Sequence, residues 1–147
     1  MPGKTFSINQ VVTWSMADLA ATMNSPRAFD YALEAIEGFF REVLGLSFRR
    51  LVQQHGTGAP VVHASCDYLE PLWEGDEFTL TLDIERLGGK SITWRVVAQR
   101  ADGTDVFRVK LINVIIDIGT RKPKPIPAEF RSLMQPYLAT PQQREMP

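Results

Sequence analysis

Residues 24–45 read NSPRAFDYALEAIEGFFREVLG, and this stretch decides the fold. Asn24 and Ser25 precede Pro26, the pattern of a helix start: a side-chain cap, then proline at the first helical position. Phe29, Leu33, Ile36, Phe40 and Val43 follow at gaps of three and four, with Ala32, Phe39 and Leu44 beside them. Such spacing predicts a helix from about Pro26 to Leu44 with one broad apolar face. Gly45 stands where a glycine C-cap belongs. A face that wide must be covered by something large.

The rest of the chain supplies the cover. Upstream, Phe6 to Trp14 reads as a strand, ending in the β-formers Val11, Val12, Thr13 and Trp14. Residues 15–25 form a loop into the helix. Downstream, the polar segment Ser47–Gly58 carries little pattern. Four strand-like runs then follow at about Pro60–Leu69, Glu77–Arg86, Ser91–Arg100 and Thr104–Ile118. In the second run Phe78, Leu80, Leu82 and Ile84 alternate with Thr79, Thr81 and Asp83, which marks a half-buried strand. The short turns Glu74-Gly75-Asp76, Leu87-Gly88-Gly89 and Asp102-Gly103 make the sheet antiparallel. A short helix from Ile126 to about Tyr137 closes the domain. The expected architecture is α+β: a five-stranded antiparallel sheet wrapped around one long central helix, as a single domain over residues 1–138. Residues 139–147 are expected to be a mobile C-terminal tail. Open sheet edges favour pairing with a second copy.

Composition narrows the function by exclusion. The chain has 147 residues, 44% hydrophobic and 22% charged, which suits one globular domain. With 16 basic and 17 acidic residues the net charge is −1, so no overall field favours nucleic acid or an anionic membrane as a partner. The most apolar stretch, Val109–Ile118, is broken by Lys110, Asn113 and Asp117 and falls short of the roughly 20 residues of a membrane helix. The start Met1-Pro2-Gly3-Lys4 leads into no apolar signal core, and one cysteine allows no internal disulfide; a cytoplasmic location is expected. Cys66 reads as a small buried apolar residue. Cys66, His55 and His63 form no zinc motif, so no metal is expected. Gly88-Gly89-Lys90-Ser91 looks like the end of a phosphate-binding loop, but Ile84 occupies the first glycine position and a strand pattern follows, not a helix. No Gly-x-Ser-x-Gly elbow occurs.

One region suggests chemistry. Asp18 lies in the loop just ahead of the long helix, whose N-terminus offers unpaired N–H groups and a partial positive charge. Such N–H groups polarise a carbonyl oxygen, and a carboxylate nearby can attack that carbonyl or activate water beside it. The alternative role of Asp18 is to satisfy loop backbone.

The segment Ser15–Ala21 and several later pieces resemble the 4-hydroxybenzoyl-CoA thioesterase family of hotdog-fold proteins. Asp18 takes the position of the family's Asp after the first strand. Val62–Leu72 resembles the first strand after the helix, and Gly75-Asp76-Glu77-Phe78 resembles a Gly-Asp-x-Leu turn. Gly89-Lys90-Ser91 resembles a Lys-Ser strand start, and Ile126–Arg131 resembles an Ile-Pro-x-x-hydrophobic-Arg element. The resemblance implies an acyl-CoA thioesterase, with aryl-CoA such as hydroxybenzoyl-CoA among its substrates. It implies Asp18 as nucleophile or general base and a polarising backbone N–H at the helix start near Ser25. The CoA nucleotide would lie at Gly89, Lys90 and Ser91, with Arg86 and Arg95 as further phosphate candidates. No separate cofactor is implied, CoA being part of the substrate. Subunits would pair into homodimers or homotetramers with active sites between them. Ala21 departs from the family's glycine, a position where glycine permits an unusual backbone angle. That departure keeps open a non-catalytic module that binds acyl-CoA or another hydrophobic ligand. A hydratase or dehydratase is a third reading, which would require a histidine near Asp18. Glu34 is a rival carboxylate on the helix and reads as a boundary residue near solvent. His63 reads as a packed or interface histidine.

Overall fold

The long helix forms in two parts in the computed structural model, which describes residues 3–141 and 143. α1 spans Arg27–Phe39, and a π-helical turn, Phe40–Leu44, continues it. Gly45 ends the run in the left-handed region at φ 76°, which glycine adopts without steric cost. The start differs from expectation. No side chain caps α1; the carbonyls of Asn24, Ser25 and Pro26 accept from the N–H groups of Arg27, Ala28 and Phe29. The buried face is Ala28, Tyr31, Ala32, Ala35, Ile36 and Phe39, so Leu33 falls outside it and stands exposed.

Five strands form one antiparallel sheet. They are β1 (Phe6–Val11), β3 (Val61–Tyr68), β4 (Glu77–Leu87), β5 (Ser91–Gln99) and β6 (Asp105–Val114), arranged β1-β4-β5-β6-β3. A two-residue strand, β2 (Thr57–Gly58), pairs with β7 (Ile116–Asp117) in a separate small sheet. The last sequence run, expected to reach Ile118, is thus split after Val114. The segment left unpatterned at 47–58 contains a helix, α2 (Phe48–His55). Ser47 caps it through Arg50 N–H and Gly56 closes it at φ 57°. Of α2 only Leu51 is buried; its stripe Phe48, Leu51 and Val52 is at helical spacing but too short to stand out among Arg49, Arg50, Gln53 and Gln54.

The register aligns the core. Phe6, Leu82, Val96, Val109 and Cys66 face one another in a row across all five strands. The next row is Ile8, Leu80, Ala98, Phe107 and Tyr68. These rows lie on the side that covers α1. The helix touches both edge strands, β1 and β3, as well as β4 and β6. Five strands spaced about 4.8 Å apart are wider than a helix about 10 Å across, so the sheet must curve for both edges to reach it. Phe39 sits at the centre, with the rings of Phe6, Trp94 and Tyr137 edge-on around it at 5.9, 5.2 and 5.0 Å. Buried Trp94 donates to Asn113 Oδ1 at 2.9 Å, and Asn113 donates to Ala59 O, so this core polar pair is satisfied.

α1 crosses the sheet obliquely. Its start lies at β3, where Tyr68 Oη donates to Ser25 O at 2.5 Å. Its later part lies at β1, where a Cβ on Gly38 would come within 3.3 Å of Phe6. The C-terminal helix α3 (Ala128–Met134) leads through a 3-10 turn (Gln135–Tyr137) to Leu138, which bridges β4 at Ile84. Ala139 is buried and donates to Ile84 O at 2.7 Å, so the stretch expected to be tail begins with an anchored residue. Of that stretch, 142 and 144–147 lie outside the described residues.

Because Phe39 joins three ring contacts and is fully buried, Phe39→Ala should cost about 3–5 kcal/mol of stability. Urea unfolding compared with the parent protein reads this directly as a lower midpoint.

Candidate active site

Two loops meet beside the start of α1. The loop 17–24 turns back on itself, with Ala17 bridging Met23 and Asp18 N–H donating to Thr22 O. It is pinned to the segment that leads into β4: Met23 N–H donates to Leu72 O at 2.7 Å, and Glu74 N–H to Ala21 O at 2.8 Å. Asp18 Oδ1 accepts from Ala20 N–H at 2.9 Å, Thr22 N–H at 3.4 Å and Thr22 Oγ1 at 3.3 Å. Asp18 therefore does hold its own loop. Its other oxygen, Oδ2, has no partner among the described residues and remains available.

Ala21 adopts φ 63° in this turn. This is the left-handed conformation that glycine takes freely and alanine only at a cost. The alanine thus follows the backbone path a glycine would, and the turn that presents Asp18 is kept.

Hydrogen-bond accounting at the helix start isolates one donor. Met23, Asn24, Arg27, Ala28 and Phe29 N–H groups are all bonded, and Pro26 has none to offer. Ser25 N–H has no acceptor among the described residues. Ser25 and Thr22 share a hollow of about 280 Å³ with Tyr68, Leu69 and Leu72. Asp18 opens on a neighbouring hollow of about 450 Å³, bounded by Trp14, Leu19, Ala21 and Glu74. Trp14 is 86% exposed and Leu19 fully so, which makes an apolar rim beside a carboxylate. Thr22 links the two places, since it bonds Asp18 and lines the hollow of Ser25. A comparable hollow of about 490 Å³ between β1 and the start of β4 contains neither Asp18 nor Ser25.

Gly89, Lys90 and Ser91 are elsewhere. They lie at the β4–β5 turn, whereas the Asp18 loop adjoins the opposite end of β4 through Gly75 and Asp76. Ten residue steps along β4 at about 3.3 Å each separate the two ends by about 30 Å. The turn itself is well held. Arg131 on α3 donates to Gly88 O at 2.5 Å and Gly89 O at 3.3 Å, while Ile126 and Ile115 N–H donate to the carbonyls of Gly89 and Lys90. Lys90 remains exposed at its tip.

Other candidates are committed to different work. Arg95 is tied to Asp83 by two bonds of 3.0 and 2.6 Å, so its charge is already matched; Arg86 is exposed near the β4–β5 turn. Glu34 sits towards β1, where Gln10 Nε2 donates to it at 2.9 Å, away from the start of α1. Burial, then Asp30 and Glu37, holds its carboxyl above the usual range. Cys66 belongs to the sheet row facing the core, and burial pushes its thiol up, so little reactive thiolate forms. His63 is exposed on the edge strand β3, and His55 stacks near Phe130 at 5.4 Å. Among the described residues no three His, Cys, Asp or Glu side chains are placed to hold a metal ion. No helix among them is long and apolar enough to cross a membrane.

Comparisons with known proteins agree with this fold. The family model described as the thioesterase-like superfamily matches residues 12–134. The chain belongs to that superfamily and has the hotdog fold. More particularly, it is 25% identical over 120 residues to a 1,4-dihydroxy-2-naphthoyl-CoA hydrolase of Acaryochloris marina, covering 80% of this chain and 87% of that one. A thioesterase superfamily structure from Jannaschia sp. superposes with a TM-score of 0.86 at 26% identity, over 95% of this chain and 99% of that chain. A Staphylococcus aureus protein in complex with CoA gives a TM-score of 0.86 at 22% identity, over 100% of this chain and 96% of the other.

The positive φ at Ala21 yields a direct test. Ala21→Gly should stabilise the protein by about 0.5–1 kcal/mol, because the left-handed penalty exceeds the extra entropy of glycine in the unfolded chain. Thermal melting should show a higher midpoint.

Proposed function

We propose that this protein hydrolyses an aryl-CoA thioester, with Asp18 and Ser25 of one copy acting on the thioester and the Gly89–Ser91 turn of another copy receiving the CoA nucleotide. The observation that carries this reading is the single unpaired donor at the start of α1, Ser25 N–H, next to a loop whose carboxylate has a free oxygen. In the reaction, the thioester oxygen accepts from Ser25 N–H, where the helix end also offers partial positive charge. Asp18 Oδ2 then either attacks the carbonyl carbon or takes a proton from an attacking water. In the first route the CoA thiolate leaves and water then hydrolyses the acyl–Asp18 anhydride; in the second the water oxygen displaces the thiolate, which takes up the proton; both end in a free carboxylic acid and the CoA thiol. No cofactor is needed, because CoA enters as part of the substrate.

An aryl acyl group suits the exposed indole of Trp14 beside Asp18, since a flat ring can stack on it. A relative named as a naphthoyl-CoA hydrolase supports the same class. The separation of about 30 Å between the Asp18 loop and the Lys90 turn supports two copies at each site. β3 is the natural seam: it is an edge strand with Val61, Val62 and Tyr68 exposed, and α1 starts beside it. Homodimers formed there can pair again to tetramers.

Asp18→Asn should lower turnover at least about a hundredfold on a panel of aryl-, short-chain and long-chain CoA esters, with the melting curve kept. Thiol release at the parent rate would remove Asp18 from the chemistry, and no thiol release from the parent on any ester would leave a binding module. Lys90→Ala should raise KM for a CoA ester about tenfold, equivalent to ~1.4 kcal/mol, and leave KM unchanged for the matching N-acetylcysteamine ester, which lacks the nucleotide.

A further inference from the structure

The hydrogen-bond pattern points to Tyr68 as a positioning residue for the carbonyl-polarising group: we infer that its phenol fixes the Ser25 carbonyl, one side of the residue whose N–H on the other side meets the thioester oxygen, and so steadies the aim of that N–H. This rests on the thioesterase reading above and adds a residue to it.

The sequence of β3 explains why Tyr68 is there. Cys66 and Tyr68 lie two apart and face the helix side of the sheet, in the rows that continue through Val109 and Phe107. Cys66 meets the core, whereas Tyr68, at the end of the edge strand, reaches past it to the start of α1. Its hydroxyl donates to Ser25 O at 2.5 Å, linking residues 43 apart in sequence. The ring is half exposed, at 50%, and lines the hollow of Ser25. A tyrosine contributing only apolar cover would have no need of this bond.

Ser25 is held on both sides: Asn24 O, in the peptide that carries the Ser25 N–H, accepts from Arg27 N–H at 2.9 Å, and Ser25 O, in the next peptide, accepts from Tyr68. Among the described residues no side chain caps α1, and Ser25 O otherwise accepts the longer bond from Ala28 N–H at 3.2 Å. Asn24 N–H is held by Met16 O on one side, and Pro26 restricts φ on the other. The Arg27 bond comes from the helix itself, and the tether that reaches Ser25 from another element is the Tyr68 hydroxyl. A preorganised donor works because it need not reorient when charge develops on the oxygen. Freeing the tether leaves the donor in place but lets its aim wander, so the transition state loses more than the bound substrate.

Tyr68→Phe keeps the ring and removes the bond. On the best aryl-CoA ester it should lower kcat about ten- to a hundredfold, with KM within about twofold of the parent. A variant with 4-aminophenylalanine at position 68, which restores a donor at the same place, should recover most of kcat. The inference is overturned if Tyr68→Phe turns over within about twofold of the parent, or if the loss falls on KM. It is equally overturned if the phenylalanine and aminophenylalanine variants are alike. Asp18→Asn measured in parallel separates the two levels. An inactive Asp18→Asn with a fully active Tyr68→Phe removes Tyr68 alone, whereas a fully active Asp18→Asn removes the reading on which it rests.

Discussion

The structure depends on covering one side of α1. Ala28, Tyr31, Ala32, Ala35, Ile36 and Phe39 must leave water together, and no other helix among the described residues is large enough to receive them. A five-stranded sheet can do so only by presenting large residues in register from every strand. The rows through Leu82, Val96 and Val109 and through Leu80, Ala98 and Phe107 are that surface. Because the sheet reaches α1 with both edges, the strand order is also constrained: β1 and β3, the first strands of this sheet on either side of the helix in sequence, take the two outer places.

The same packing brings the candidate site together. An oblique α1 has one end under each edge of the sheet, and its N-terminus falls at β3. That end is where a helix has donors to spare. The chain satisfies nearly all of them locally and leaves Ser25 N–H over. The loop before the helix is clamped onto residues 72–74, which carry it across to the start of β4 and present Asp18 on an open, apolar-rimmed hollow. The strained backbone at Ala21 belongs to this clamp; strain of this kind persists only where surrounding bonds over-determine the conformation.

The near-zero net charge has a structural counterpart. Asp83 with Arg95, Asp105 with Arg108 and Glu85 with Lys110 pair on the sheet, so these charges neutralise one another across short distances. What remains for an anionic nucleotide is local: a turn held from behind by Arg131, with Lys90 at its tip. Charge in this chain thus serves largely to hold the sheet, with Lys90 left exposed at its turn.

Periodicity alone determined the helix, the four later strands, their antiparallel order and the glycine at the helix end, because each is a short-range pattern of apolar spacing and turn residues. Asp18 was legible as a candidate by its place ahead of a recognisable helix start, and Ser25 through the family resemblance. α2 was not, since its apolar stripe is only Phe48, Leu51 and Val52 within eight mostly polar residues. Only the tertiary structure decided the rest. It pairs Arg95 with Asp83 through strand register, carries Glu34 to the β1 side, sets Tyr68 against Ser25, and keeps Lys90 at the far end of β4 from Asp18. Each of these depends on which residues lie opposite one another after the sheet has closed on α1, a long-range relation that no local stretch of sequence contains.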